Sequence, residues 1–169
     1  MELKRVVITG IGAISPLGNT AQETWEAVVA GKSGAAPITL FDASKFKTTF
    51  ACEVKDFDVA KYIDRKEARR LDRYAQFAMV AAEESIADSK LDIDKVNKDR
   101  VGVVIASGIG GLGTFEEEVR GYDAEAGPRF NPFFIPKMIS DISAGHVSMK
   151  YGFHGPNYST ASACASSTN

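Results

Sequence analysis

Arg100-Val101-Gly102-Val103-Val104-Ile105-Ala106-Ser107-Gly108-Ile109-Gly110-Gly111-Leu112-Gly113 is the stretch on which the fold reading turns. Its first half is apolar without polar alternation, the pattern of a strand covered on both faces, and such strands belong to parallel sheets flanked by helices. The glycines that follow permit a tight turn, and residues 114–120 carry a helical pattern, so the chain reads strand, loop, helix. The same order appears at the N-terminus. Arg5-Val6-Val7-Ile8-Thr9 is a second β-branched run, ended by Gly10-Ile11-Gly12 and predicted to be a central buried strand. Thr20 with Glu23 makes a capping box for the helix that follows, and Gly31 is placed to close it.

Further along, Asp64 with Glu67 starts another helix by the same logic, predicted to run to about Ser89. Its charged residues 65–73 should face water, and its nearly all-apolar residues 74–82 should lie between layers. Residues 32–63 read as an irregular connection with a short strand at 48–54, and residues 122–131 as a polar loop. Pro132-Phe133-Phe134-Ile135-Pro136 is an aromatic turn before a helix over 137–151, where Ser143, Ala144 and Gly145 allow close backbone approach. A weak strand at 157–161 leads into Ser162-Ala163-Cys164-Ala165-Ser166, which is expected to turn into a helix. Strands separated by helices imply a layered α/β fold with a mostly parallel sheet. A helix that has only begun has no second turn and no cap, so residues 1–169 read as the N-terminal part of something longer.

Composition narrows the function classes. The 169 residues are 44% apolar and 25% charged, with a formal charge of −2, so a core can form and no global basic field points to nucleic acid. No stretch approaches the roughly 18 apolar residues of a membrane span, and nothing at the N-terminus resembles a secretory signal. Cys52 and Cys164 are the two cysteines, without a second Cys or His at ligand spacing. That excludes a zinc finger, argues against a disulfide framework, predicts no metal site and suits a reducing cytoplasm.

Gly108-Ile109-Gly110-Gly111-Leu112-Gly113 matches the G-x-G-x-x-G pattern of dinucleotide-binding loops, yet no apolar strand ending in an acid follows where the ribose would be held. Close turns in a packed α/β protein are the simpler reading. Cys164, flanked by Ala and Ser after a short strand, would have its sulfur near unpaired helix amides that favour the thiolate. A buried, inert cysteine is the plain alternative, and it is the reading for Cys52. His146 and His154 read as structural. Lys66, Arg69 and Arg70 share one face at i, i+3 and i+4, either as a solvated surface or as a docking patch for an acidic partner.

Residues 5–19, Phe41-Asp42, 107–112, 132–136, Gly155-Pro156 and 162–166, taken in order, resemble the N-terminal half of a β-ketoacyl-[acyl-carrier-protein] synthase of the elongating type called synthase II. Polyketide ketosynthases are close relatives. The resemblance implies a thiolase-like α/β/α fold of two related halves, of which residues 1–169 would be the first, ending just after the nucleophile. It implies that Cys164 accepts an acyl chain from acyl carrier protein and that its backbone amide supplies an oxyanion donor. Condensation with malonyl-carrier protein, with loss of carbon dioxide, would then give a 3-oxoacyl product. Ile109 would gate the acyl pocket, Ala163 would border the substrate, and Phe134 would reach a pocket across a homodimer interface. Lys66, Arg69 and Arg70 would dock the carrier protein. No resident cofactor is implied, since the substrates bring phosphopantetheine on the carrier. The family's two catalytic His and its Lys belong to the second half, so residues 1–169 alone are expected to be inactive in condensation. The usual Thr-Ala-Cys is Ser162-Ala163-Cys164 here. Two rival readings stand beside this one, a non-catalytic partner that keeps the fold and a nucleotide-binding module built on 108–113.

Overall fold

The computed structural model describes residues 4–122, 127 and 129–168. They form two compact units, one of residues up to Asp58 with Val80–Lys90, the other of Val59–Met79 with the residues from Leu91 onward.

In the first unit, α1 (Ala21–Val29) begins where Thr20 Oγ1 accepts the Glu23 N–H at 3.1 Å. The Glu23 carboxylate accepts from Asn19 N–H at 2.7 Å, so the capping box closes one residue earlier than the pattern prescribes. Gly31, at φ +66°, ends the helix: its N–H reaches Val28 O and the Lys32 N–H reaches Ala27 O, a Schellman pair. β1 (Ala36–Pro37) and β2 (Phe50–Ala51) pair antiparallel, so the short strand expected at 48–54 is present but brief.

Residues 5–9 are not the central strand that their composition predicts. Val6 is 91% exposed and Ile8 84%, and no described segment pairs with them. An apolar run states what burial would favour, but a strand exists only where a neighbour completes its ladder. The backbone just beyond is anchored by side chains of residues 80–90. Ile11 N–H donates to Asp88 Oδ2 at 2.9 Å, Ala13 N–H to Glu84 Oε2 at 2.8 Å, and Ser85 Oγ to Gly10 O at 3.2 Å. Glu84 also accepts the Ala21 N–H at 2.9 Å, placing a carboxylate at the positive end of α1.

The second unit opens with a 3₁₀ turn, Val59–Lys61, and α2 (Arg65–Ala68), capped by Asp64 Oδ1 on the Lys66 and Glu67 amides. The single helix predicted for 64–89 is interrupted here, and α3 (Arg73–Ser89) starts afresh. Two side chains make the break. Asp72 Oδ1 accepts the Tyr74 N–H at 3.1 Å as a new cap, and Gln76 Nε2 donates to Ala68 O, which also accepts the Leu71 N–H, and to Leu71 O in the connection between the helices. Residues 73–79 of α3 belong to this unit and residues 80–89 to the first.

β3 (Val103–Val104) pairs in parallel with β4 (Asn157–Tyr158), and the ladder continues through Ile105 N–H to Tyr158 O and Ser107 N–H to Thr160 O. The connection between them holds α4 (Leu112–Arg120), α5 (Phe134–Met138) and α6 (Ile142–Tyr151). The helix expected over 137–151 is thus two, and the aromatic turn at 132–136 is partly the first turn of α5. Pro136 fits there because a third helical residue needs no intrahelical N–H bond. Part of the loop expected at 122–131 lies outside the described residues. Ile63, Leu71, Ala75, Met79, Val103, Ala144, Val147 and Phe153 are buried and form this unit's core. No described helix is long and apolar enough to cross a membrane.

Candidate active site

Both glycine-rich and cysteine-bearing loops leave the same edge of the parallel pair, where its strands end. In parallel α/β sheets that edge is where ligands bind. The two loops meet: a Cβ built on Gly108 would sit 3.7 Å from Ala163 O and 3.8 Å from Ala163 Cα.

Cys164 lies at a sharp, locked turn. Ala163 has φ +51°, a conformation that costs an L residue on the order of 1–3 kcal/mol and persists only where its surroundings fix it. Ser166 does the fixing. Its Oγ accepts from Ser162 N–H at 2.8 Å and donates to Ala163 O at 2.6 Å, while Thr160 Oγ1 donates to Ser166 O at 2.8 Å. The thiol is exposed, which removes the buried, inert alternative; Cys52 is exposed as well, contrary to expectation. The helix expected after Cys164 is, among the described residues, only the 3₁₀ turn Ser166–Thr168. The oxyanion reading therefore rests on single amides, and no described hydrogen bond uses the Cys164 N–H.

The glycine loop cannot cradle a phosphate. Gly110 N–H donates to Ser107 Oγ at 3.0 Å, Gly111 N–H to Met138 O at 2.9 Å, and Leu112 N–H turns back to Gly110 O. Thr114 N–H and Oγ1 both donate to Asp72 Oδ2, at 3.3 and 2.6 Å. A carboxylate thus occupies the α4 N-terminus, where a nucleotide's phosphate would have to sit, and its charge suits the helix dipole. The dinucleotide reading falls on this point.

Beyond that loop lies a groove of about 480 Å³ lined by Ile109, Leu112 and Phe115 on one stretch of chain and by Met138, Ile139 and Asp141 on another. Ile109, 69% exposed, stands at it. Phe134 does not line it: its ring stacks with Phe115 and Phe130, at centroid separations of 6.4 and 5.8 Å. Tyr74 Oη donates to Ile139 O beside the groove. Burial first, then the Asp72 and Asp141 charges, pushes the Tyr74 phenol up to about 12. It is therefore a constant donor at physiological pH. In an ultraviolet titration it should ionise well above the ordinary tyrosine value of 10. The fold holds the protonated phenol, so the associated stability is complete below the ordinary value of 10 and is lost as pH rises toward 12. Tyr74→Phe should remove that alkaline component.

The basic face is divided. Arg65 and Arg69 line a groove of about 440 Å³ with Lys137, over apolar Ala68 and Leu71. Lys66 is exposed but does not line this groove, and the Arg70 guanidinium rests 4.9 Å from the centroid of the Phe133 ring. Arg65 adjoins the three-residue face in the sequence and belongs loosely to it, whereas Lys137 comes from a distant segment and leaves no trace in local spacing. His154 Nδ1 pairs with Asp99 at 3.1 Å on the surface. His146 is half-buried and its ring is held below its ordinary range by burial, opposed by the Glu67 charge. Among the described residues no cluster of His, Cys, Asp and Glu is arranged to hold a metal.

An exposed cysteine on a locked turn, at the carboxyl edge of a parallel pair whose other loop runs on into an apolar groove, is carried here by a thiolase-like fold. Residues 3–169 match the family model described as "Beta-ketoacyl synthase, N-terminal domain", and the chain belongs to that family. It is 51% identical over 167 residues to 3-oxoacyl-[acyl-carrier-protein] synthase 2 of Coxiella burnetii, covering 97% of this chain and 40% of that protein. To the enzyme of that name in Synechocystis it is 45% identical over 169 residues, covering all of this chain and 41% of that one. The chain thus spans about two fifths of the length of these relatives. Among solved structures it resembles a type II polyketide ketosynthase in complex with its acyl-carrier protein, at TM-score 0.78 and 27% identity over 97% of this chain and 43% of that one. It likewise resembles a β-ketoacyl synthase from Burkholderia phymatum, at TM-score 0.78 and 25% identity over 98% of this chain and 41% of that one.

Proposed function

We propose that the chain supplies the acyl-accepting part of a 3-oxoacyl-[acyl-carrier-protein] synthase of fatty-acid elongation. Cys164 Sγ attacks the thioester carbonyl of an acyl-carrier protein; the acyl–Sγ bond forms, the bond to the carrier breaks, and the carrier leaves as its thiol with the Cys164 proton. The free Cys164 N–H is one donor for the oxygen that becomes negative during attack. Malonyl-carrier protein then loses carbon dioxide, and the enolate so formed attacks the acyl carbonyl, giving the 3-oxoacyl product and releasing Sγ. The His and Lys groups of that step are those which the resemblance assigns to the family's second half. The reading needs no resident cofactor, because the substrates carry their own phosphopantetheine.

What carries this proposal is the meeting of the Cys164 turn with the Ile109 loop beside an apolar groove. Identities of 45 and 51% to fatty-acid synthases, against 27% to the polyketide ketosynthase, favour elongation over polyketide assembly. We take the protein to act in the cytoplasm as a homodimer. Phe134, whose ring stacks with Phe115 and Phe130, is the residue this reading assigns to a partner's pocket. Radiolabelled acyl-carrier protein mixed with the full-length protein should deposit its acyl group on the peptide holding Cys164 and not on that holding Cys52. Label on Cys52, or on neither, rejects the reading.

The Arg65, Arg69 and Lys137 groove, with Lys66 nearby on α2, supports docking of an acidic carrier protein. Arg69→Glu should slow acyl transfer from the carrier by about tenfold at low salt, with the deficit shrinking as salt rises. Transfer from a small acyl-pantetheine thioester should be unaffected.

A further inference from the structure

The first turn of α3 and the cap residue before it hold both stretches of chain that line the groove. Asp72 Oδ2 takes the buried Thr114 hydroxyl and the Thr114 amide, fixing the start of α4, and with it Leu112, Phe115 and the loop that presents Ile109. Two residues on, Tyr74 Oη donates to Ile139 O, fixing the opposite lining stretch. Glycines make the grip close. A Cβ on Gly111 would lie 2.9 Å from Asp72 Oδ2, and one on Gly110, at φ +87°, would overlap Met138 O. Gly111 N–H to Met138 O at 2.9 Å ties the two stretches directly to each other.

We infer that Asp72 and Tyr74 are positioning residues that set the spacing between the two lining stretches of the groove and thereby select the acyl chain. This rests on the groove's receiving the acyl chain bound to Cys164. Neither side chain touches the reacting atoms. Each acts through a second residue, Thr114 or Ile139, and the pair works as a caliper whose jaws are the α4 start and residues 138–141. Specificity for chain length is sensitive to such spacing because a misfit of one methylene in an apolar pocket already changes discrimination by about tenfold.

The test uses the full-length protein with Tyr74→Phe, Thr114→Val and Thr114→Ser. Acyl transfer to Cys164 is measured from carrier-protein thioesters of graded length, and iodoacetamide alkylation of Cys164 serves as a readout that does not use the groove. Tyr74→Phe and Thr114→Val should each change the ratio of long-chain to short-chain transfer by about fivefold or more. Alkylation should stay within about twofold of the parent, and Thr114→Ser, which keeps the hydroxyl, should restore the parent ratio. An unchanged ratio overturns the inference, as does a uniform fall at every length together with alkylation, or a serine variant as altered as the valine. If Thr114→Val yields no folded protein, Tyr74→Phe, which removes a single oxygen, decides. Absence of transfer at every length in the parent protein marks failure of the synthase reading itself, a result visible before any variant is compared.

Discussion

Cys164→Ala in the full-length protein should abolish the proposed acyl transfer: with no sulfur to form the thioester, turnover is expected to fall by about 10⁴-fold or more, the scale seen when a covalent nucleophile is removed. The fold should survive, because the thiol is exposed and the turn is held by Ser166 and Thr160 rather than by the Cys164 side chain. Thermal unfolding within about 0.5 kcal/mol of the parent is expected, as for a surface change. Cys52→Ala should leave transfer intact. Transfer that persists in Cys164→Ala would mean that the acyl group is taken elsewhere, and the proposed mechanism would fail with it.

Gly12→Ala should be among the most destabilising small substitutions in the chain. A Cβ there would overlap Ala81 O and come within 2.7 Å of Ser85 N, and both are backbone atoms of α3 that cannot swing aside as a flexible side chain could. Relief requires residues 10–13 to lift from the helix, which lengthens the Ile11–Asp88 and Ala13–Glu84 hydrogen bonds. We expect a loss of about 2–4 kcal/mol, read as a lower urea midpoint with unchanged slope. A loss below about 0.5 kcal/mol would show that this segment is not seated on the helix as described.

Local chemistry was legible in the sequence wherever a residue acts on its immediate neighbours. Thr20, Asp64 and Gly31 do what their types and positions predict, and β3 and β4 fall inside the runs marked as strands. The loops that carry Cys164 and Ile109 follow the two strands of the parallel pair and meet at Gly108 and Ala163, a proximity that neither segment shows by itself. What could not be read depends on partners remote in sequence. Residues 5–9 carry a strand's composition without a described neighbour to complete it. Asp72 was hidden inside a long apparent helix, although an Asp just before an apolar run is itself a capping signal. Its second bond, to Thr114, leaves no periodic mark at all. Ser166 belongs to a run of small residues expected to begin a helix, and nothing in that run marks it as the residue that holds the turn on which the thiol stands.

The parallel pairing of β3 with β4 has a consequence for how the site comes into being. The two strands are joined only through α4, α5 and α6, so their ladder must close a long loop before it gains any contact energy, and such closures come late and slowly. The thiol and the glycine loop become neighbours only when that closure happens. During refolding, the Ile105 and Ser107 amides, which donate across the pair to Tyr158 O and Thr160 O, should therefore be among the last to gain protection from hydrogen exchange, and their protection times the last event in the maturation of the site.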